Sequence, residues 1–324
     1  MKVYIISMLI ILALFAGCVE PPVSNIYTID TWDELVDIPE NSTIYVNPGI
    51  FNEKVIIDKN NIHLIGKNTT IDGTGLPSYW DGMLRLENVY NVTIEKFNIV
   101  NSPYFGIYIV ENCTNITIKD LYIDDCESSG IIVYDREGQP RNITIDNNVI
   151  LDVCRNMNQE ALSLSNVDGF LIANNYINGS WKEGIDAKSG CRNGLIRYNF
   201  VSNSKDYRPN IYVDAYARDS WNITIEFNEC YGTGQGISLA TEEGGTLTDI
   251  FVYKNQVNVQ SNAFSIHRYD TEGSHLKTDI IVSHNYFESQ IDGAIQITEL
   301  PERFVNPVFN NNTLVSEWVN CPIC

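Results

Sequence analysis

The chain has 324 residues, with 41 acidic against 21 basic side chains and a formal net charge of −20. That balance excludes a nucleic-acid partner, because phosphate binding needs clustered lysine and arginine. An acidic surface suits solubility or divalent cations, and helical periodicity is confined to one short stretch near the start.

Residues 1–17 read as an export signal. Lys2 gives the positive start, and residues 3–16 form a nearly unbroken apolar run, shorter than the ~20 residues a spanning helix needs. Leu14-Phe15-Ala16-Gly17-Cys18 is similar to a lipoprotein signal, which implies that Cys18 carries lipid after cleavage and anchors the protein outside the membrane. Simple secretion and an uncleaved anchor are the alternatives. Residues 18–25, with Pro21-Pro22, then form a stiff tether, and residues 26–324 form one domain.

Thr31 with Glu34 three residues on makes a capping box, so a short helix begins here and lids the N-terminal end of the domain. Residues 43–75 alternate short apolar runs with Pro-Gly, Asn-Asn and Gly turns. From residue 91 a phrase recurs. Its clearest copy, RNITIDNNVI at 141–150, alternates apolar and polar as a half-buried strand does. Further copies begin near residues 91, 114, 170, 195, 222, 249, 279 and 306, about 24–30 residues apart. Such spacing means stacked coils, each burying its strands against the next. One asparagine recurs at a fixed place in seven copies: Asn148, Asn175, Asn199, Asn228, Asn255, Asn285 and Asn312. It fits a bend where the amide bonds the backbone or the asparagine of the next coil.

This pattern resembles the asparagine ladder of right-handed parallel β-helices, the pectate-lyase-like superfamily. The resemblance spans residues 44–314 and implies an all-β solenoid. Residues 301–324, with Trp318, supply the final strand and a C-terminal cap. Cys126 and Cys154 occupy nearly equivalent places in adjacent coils and are the best candidates for a disulfide. Cys321 and Cys324 could close a terminal loop, while buried free thiols are preferred for Cys113, Cys191 and Cys230. Nine glycosylation sequons occur. Those headed by Asn91, Asn115, Asn142 and Asn222 fall on the repeat itself, where a turn asparagine and a strand threonine generate them without any glycan.

Each coil carries another strand, seen as FGIYIV, SGIIVY, EALSLS, EGIDAK, NIYVDA, QGISLA, NAFSIH and GAIQIT. Coils stack about 4.8 Å apart, so equivalent outward positions form columns on one exposed sheet. Most columns are mild, but the centre holds Glu160, Glu183, Asp186, Lys188, Tyr212 and Asp214. Glu160 stacks on Glu183, and Lys188 on Asp214. Like charges one coil apart repel unless a cation or proton sits between them, so the cluster marks a candidate site. A solvated charge ladder is the competing reading.

Proteins of this superfamily bind polysaccharide along the same sheet. By resemblance, Glu160, Glu183, Asp186 and Asp214 would hold Ca²⁺ and Lys188 would be the base of a uronate lyase. Glu183 and Asp214 would assist, and Arg208, Tyr212, Arg218 and His267 would line the sugar subsites. The chain lacks the Arg-x-Pro-x-x-Arg segment of classical pectate lyases and the Asn-Thr-Asp, His-Gly and Arg-x-Lys set of polygalacturonases. Two alternatives stand beside the lyase. Glu160 with Glu183, or Glu183 with Asp214, has the coil spacing of a glycosidase carboxylate pair. A non-catalytic glycan-binding surface protein or adhesin needs no reacting groups at all.

Overall fold

A computed structural model of the chain describes residues 25–134, 138–156, 158–205, 207–267 and 275–316. Cys18, Trp318, Cys321 and Cys324 lie outside them. The described residues wind into a parallel β-helix of two hydrogen-bonded sheets, one of 22 strands and one of 10. A typical coil contributes three strands. Leu162–Ser165 lies in the smaller sheet, while Asp168–Ala173 and Tyr176–Asn178 lie in the larger. Each pairs in parallel with its counterpart one coil on, at Ile185–Lys188, Arg192–Arg197 and Phe200–Ser202.

The repeated phrase explains this path. Ile143 and Ile145 stack on Phe170 and Ile172, and all four are buried. Left-handed residues stand at Asn142, the second residue of the strand Arg141–Asp146, and at Asn147 just past its end, both at φ +53°. Asparagine tolerates that region better than other side chains with a Cβ, because its short amide can bond locally. Asn91, Asn115 and Asn222 have the same conformation, at φ +56°, +55° and +54°. The sequons on the repeat are therefore accounted for by backbone geometry.

The ladder forms as the spacing predicts. The Oδ1 of Asn199 accepts the backbone N–H of Asn175 at 3.0 Å and its Nδ2 at 3.0 Å. Its own Nδ2 donates to Ile172 O and to Asn228 Oδ1, both at 2.9 Å. The same bonds link Asn148 through Asn312.

Between the ladder and the smaller sheet the chain must run close to its neighbour. A Cβ on Gly184 would lie 2.4 Å from Val201 Cγ1 and 2.6 Å from Asn210 O, so only glycine fits there.

The lid is present as a 3₁₀ helix, Trp32–Asp37, with Trp32 and Leu35 buried over the first coils. Trp32 meets Phe51 edge-on at 5.5 Å. Glu34 accepts the N–H groups of Asp30 and Thr31, and Lys59 Nζ donates to the carbonyls of Leu35, Val36 and Ile38. Asn25, the last residue assigned to the tether, lies in a strand, Asn25–Ile29, paired with Ser42–Val46.

One expectation fails. Cys126 and Cys154 are neighbours, with Cys154 N–H donating to Cys126 O at 3.1 Å, but both thiols are free. Stacked side chains on parallel coils run side by side, whereas a bridge needs its Cβ–S bonds turned toward each other. Cys113, Cys191 and Cys230 are also buried thiols, as preferred, with Cys191 Sγ donating to Leu164 O at 3.4 Å. Burial pushes the Cys126 thiol up to about 12, so it stays protonated and inert.

Removing a central rung of the ladder orphans partners on both sides. Asn228→Ala should lower unfolding free energy by about 2–5 kcal/mol, and Asn312→Ala at the half-buried end by less. Denaturant melts compare the two, and equal losses would show that the ladder is not cooperative.

Candidate active site

The predicted cluster does assemble on one wall. In the ten-stranded sheet Ser163, Asp186 and Tyr212 are register partners, and so are Ser165, Lys188 and Asp214. Glu160 and Glu183 continue the same register just before their strands, where Ala161 N–H donates to Glu183 O at 3.0 Å. The wall differs from expectation in exposure. Glu160 (2 %), Glu183 (4 %), Asp186 (2 %) and Asp214 (2 %) are all buried rather than open to solvent.

Burial is tolerated because cations and protons sit between the acids. Lys182 Nζ lies 2.8 Å from Glu160 Oε1 and 3.9 Å from Glu183 Oε2. Lys188 reaches back across the wall to Glu160 Oε2, and also contacts Asp186 Oδ2 at 3.3 Å and Gln159 Oε1 at 3.3 Å. Ser163 Oγ donates to Glu160 Oε2 at 2.7 Å. Arg208 Nη1 lies 3.2 Å from Glu183 Oε1. Asp214 turns the other way and accepts the Glu242 N–H at 3.2 Å, while Tyr212 OH donates to Glu242 Oε1 at 2.6 Å.

These contacts push the carboxyls apart. Burial alone would raise Glu160, but Lys188 and Lys182 outweigh it and hold the group at about 2, fully ionised. Asp186 rises well above the carboxylate range, chiefly by burial and against the pull of Lys188. Glu183 rises through burial and repulsion from Glu160. Asp214 rises to about 8, by burial and then by Glu242. Diverging carboxyls in one cluster are how a fold separates acid from base roles.

Two expected roles do not fit. Burial would lower Lys188, but Glu160 and Asp186 beside it raise it above ordinary lysine. It is held as an ammonium, with its N–H groups spent on oxygens, and is not a neutral base. The donor set also does not suit Ca²⁺, because Lys182 and Lys188 occupy the oxygens that would face the ion. Among the described residues no group of three or more His, Cys, Asp or Glu converges as metal ligands do.

Of the expected subsite residues, Tyr212 and Arg208 join the cluster. His267 lies two coils beyond Asp214 on the same wall, against Ser265 Oγ at 3.1 Å and Gln235 Oε1 at 3.2 Å. Arg218 sits in the turn after the Asp214 strand, packed next to Gly190, with its N–H donating to Tyr216 O at 2.8 Å. Sequence reasoning missed Gln159 and Ser163, and also Lys277, fully buried with Glu299 and Thr241, whose charge tempers the rise of Asp214. Register could have found Lys277: it falls on an inward column with Ser220 and Leu247.

The family described as right handed beta helix region matches residues 39–156. No curated protein sequence matches the chain. Among solved structures, an endo-xylogalacturonan hydrolase from Aspergillus tubingensis is 13% identical, covering 87% of this chain and 95% of that one at a TM-score of 0.54. The periplasmic alginate epimerase AlgG is 13% identical, covering 88% and 83% at 0.56. Pectate lyase Pel9A is 10% identical, covering 78% and 80% at 0.52. These likenesses show the fold expected from the ladder, the right-handed parallel β-helix. At such identities they carry no activity across.

Asp214 also makes stability depend on pH. The unfolded carboxyl loses its proton near 4, whereas the folded one keeps it to about 8. Stability therefore falls as pH rises from about 4 to about 8, and is level below. Asp214→Asn should flatten that slope and exceed the parent by about 1–4 kcal/mol at pH 8. Urea melts across pH would show unchanged slopes if Asp214 were ordinary.

Proposed function

We propose that this chain is an extracytoplasmic, polysaccharide-directed β-helix protein that hydrolyses a glycosidic bond with the carboxyl pair Asp186 and Asp214. The observation that carries this reading is their placement. They stand on adjacent strands of one wall, one coil apart (about 4.8 Å) and two residues apart along the strand (about 6.8 Å), hence about 8 Å between backbones. Inverting glycosidases separate their carboxyls by ~6.5–9.5 Å to admit a water, a span that two aspartate side chains on backbones this far apart can adopt.

The roles follow from the environments. Asp186, kept protonated by burial, gives its proton to the leaving glycosidic oxygen, and the ammonium of Lys188 3.3 Å away steadies the carboxylate left behind. Asp214, once ionised, takes a proton from the water that attacks the anomeric carbon. Glu160 and the two lysines hold the pair in place. Solved structures sharing the fold include a hydrolase, an epimerase and a lyase named for polysaccharides, which favours a glycan ligand without selecting the reaction. Elimination by Lys188 is less favoured, because that lysine is held charged. The leader and Cys18 support a lipid-anchored location outside the membrane, facing a polysaccharide or surface glycan. Glycan binding without turnover is the second reading, favoured by the low exposure of both aspartates.

Reducing-end release from a polysaccharide panel tests this reading. Asp186→Asn and Asp214→Asn should each lose about 10²–10⁴-fold in kcat. Activity should rise as pH climbs through about 8, where Asp214 ionises. New ultraviolet absorbance from an unsaturated product would move the assignment to elimination, and no turnover with retained binding would move it to the adhesin.

A further inference from the structure

On either side of the acids the wall changes character. Toward the N-terminus the outward column that holds Asp186 and Ser163 continues as Ile132 and Tyr108. Phe105, Tyr108, Val110 and Ile132 form a second apolar cluster, separate from the core inside the coil. Trp80 lies over it, 5.2 Å from Phe105 edge-on, 5.3 Å from Tyr104 and 5.9 Å from Tyr134, with 38% of its own surface exposed. Tyr104 OH accepts Asn158 Nδ2 at 3.3 Å, and the next two residues, Gln159 and Glu160, both hold Lys188. The aromatic shelf and the acids are thus joined by three consecutive side chains.

Toward the C-terminus the column holds Ser238 and Ser265. Gln235 Oε1 accepts Ser238 Oγ at 2.9 Å and Ser265 Oγ at 3.0 Å, and Asn262 Nδ2 donates to Gln296 Oε1 at 2.9 Å. Burial keeps His267 beside them neutral. Ser238, Ser265, Gln235 and Asn262 are all buried and bonded to one another or to Gln296, so this flank is closed polar packing.

We propose that the wall is a glycan track whose N-terminal flank takes an uncharged sugar unit: the Trp80 shelf, half-exposed beside the acids, stacks on the C–H face of a pyranose. Only the central unit meets charge. The proposal rests on the reading of this wall as glycan-directed and adds the class of sugar. A carboxylate laid on the shelf would be desolvated against aromatic rings. The nearest cations are already engaged, Lys54 by Asp81 at 3.7 Å and Arg85 by Glu87 and Asp81. The net charge of −20 further repels a polyanion at long range. Aromatic faces, by contrast, supply apolar area with a fixed geometry.

The test is calorimetric binding by the Asp186→Asn/Asp214→Asn double variant, which cannot turn substrate over, so its outcome is independent of whether the parent hydrolyses. The probes are cellohexaose, xylohexaose and mannohexaose against hexagalacturonate. At least one neutral hexaose should bind more tightly than hexagalacturonate. Adding Trp80→Ala should weaken that binding about tenfold, with Trp80→Phe retaining most of it and controlling for a misfolded shelf. Preferred binding of hexagalacturonate, binding indifferent to Trp80, or no binding of any neutral probe would each overturn the proposal.

Discussion

Parallel hydrogen bonding between successive coils is the constraint on which everything else depends. It forces residues a full coil apart in sequence to sit about 4.8 Å apart in space. A column of isoleucines then becomes a core, and a column of asparagines becomes a buried chain of amides. Each asparagine satisfies a backbone N–H and a backbone carbonyl at a bend where the strand ladder is interrupted, as Asn199 does for Asn175 and Ile172. Without those amides the bend would bury unpaired polar groups.

The same stacking produces the charge cluster. Glu160 and Glu183, or Lys188 and Asp214, meet because the coil returns to the same place and not because any local motif gathers them. Stacked carboxyls repel, and the protein resolves this in two ways at once. Lys182 and Lys188 are drawn onto Glu160, and Asp186 and Asp214 retain protons. The cluster therefore combines a fixed anion, fixed cations and neutral acids within a few coils, which is the division of labour that acid–base chemistry needs.

Much of this was legible from residues alone. The alternation in RNITIDNNVI, the seven asparagines in step and the aligned strands set the coil register, and register placed six side chains on one wall. What could not be read was depth. Whether Asp186 is open or covered depends on the turns at both sides of the sheet, whose lengths vary and carry no periodic signal. The direction of long side chains was equally hidden: Lys188 is in register with Asp214 but reaches back to the preceding coil. Cys126 and Cys154 show the same limit, since proximity follows from register while pairing requires orientation. Lys277 was overlooked because a lysine opening a strand reads as surface until its column is aligned with Ser220 and Leu247.

Successive ladder asparagines are separated by as few as 24 residues and as many as 30, yet their amide contacts stay near 3 Å. The surplus is taken up at the corners that border the ten-stranded wall, among them those bearing Gln159, Lys182 and Arg208. Architecture and surface are thereby placed under separate genetic control. Insertions and deletions at a corner can reshape the wall while the interior keeps its dimensions, so the outline of the sheet can drift without the coil having to relearn how to fold.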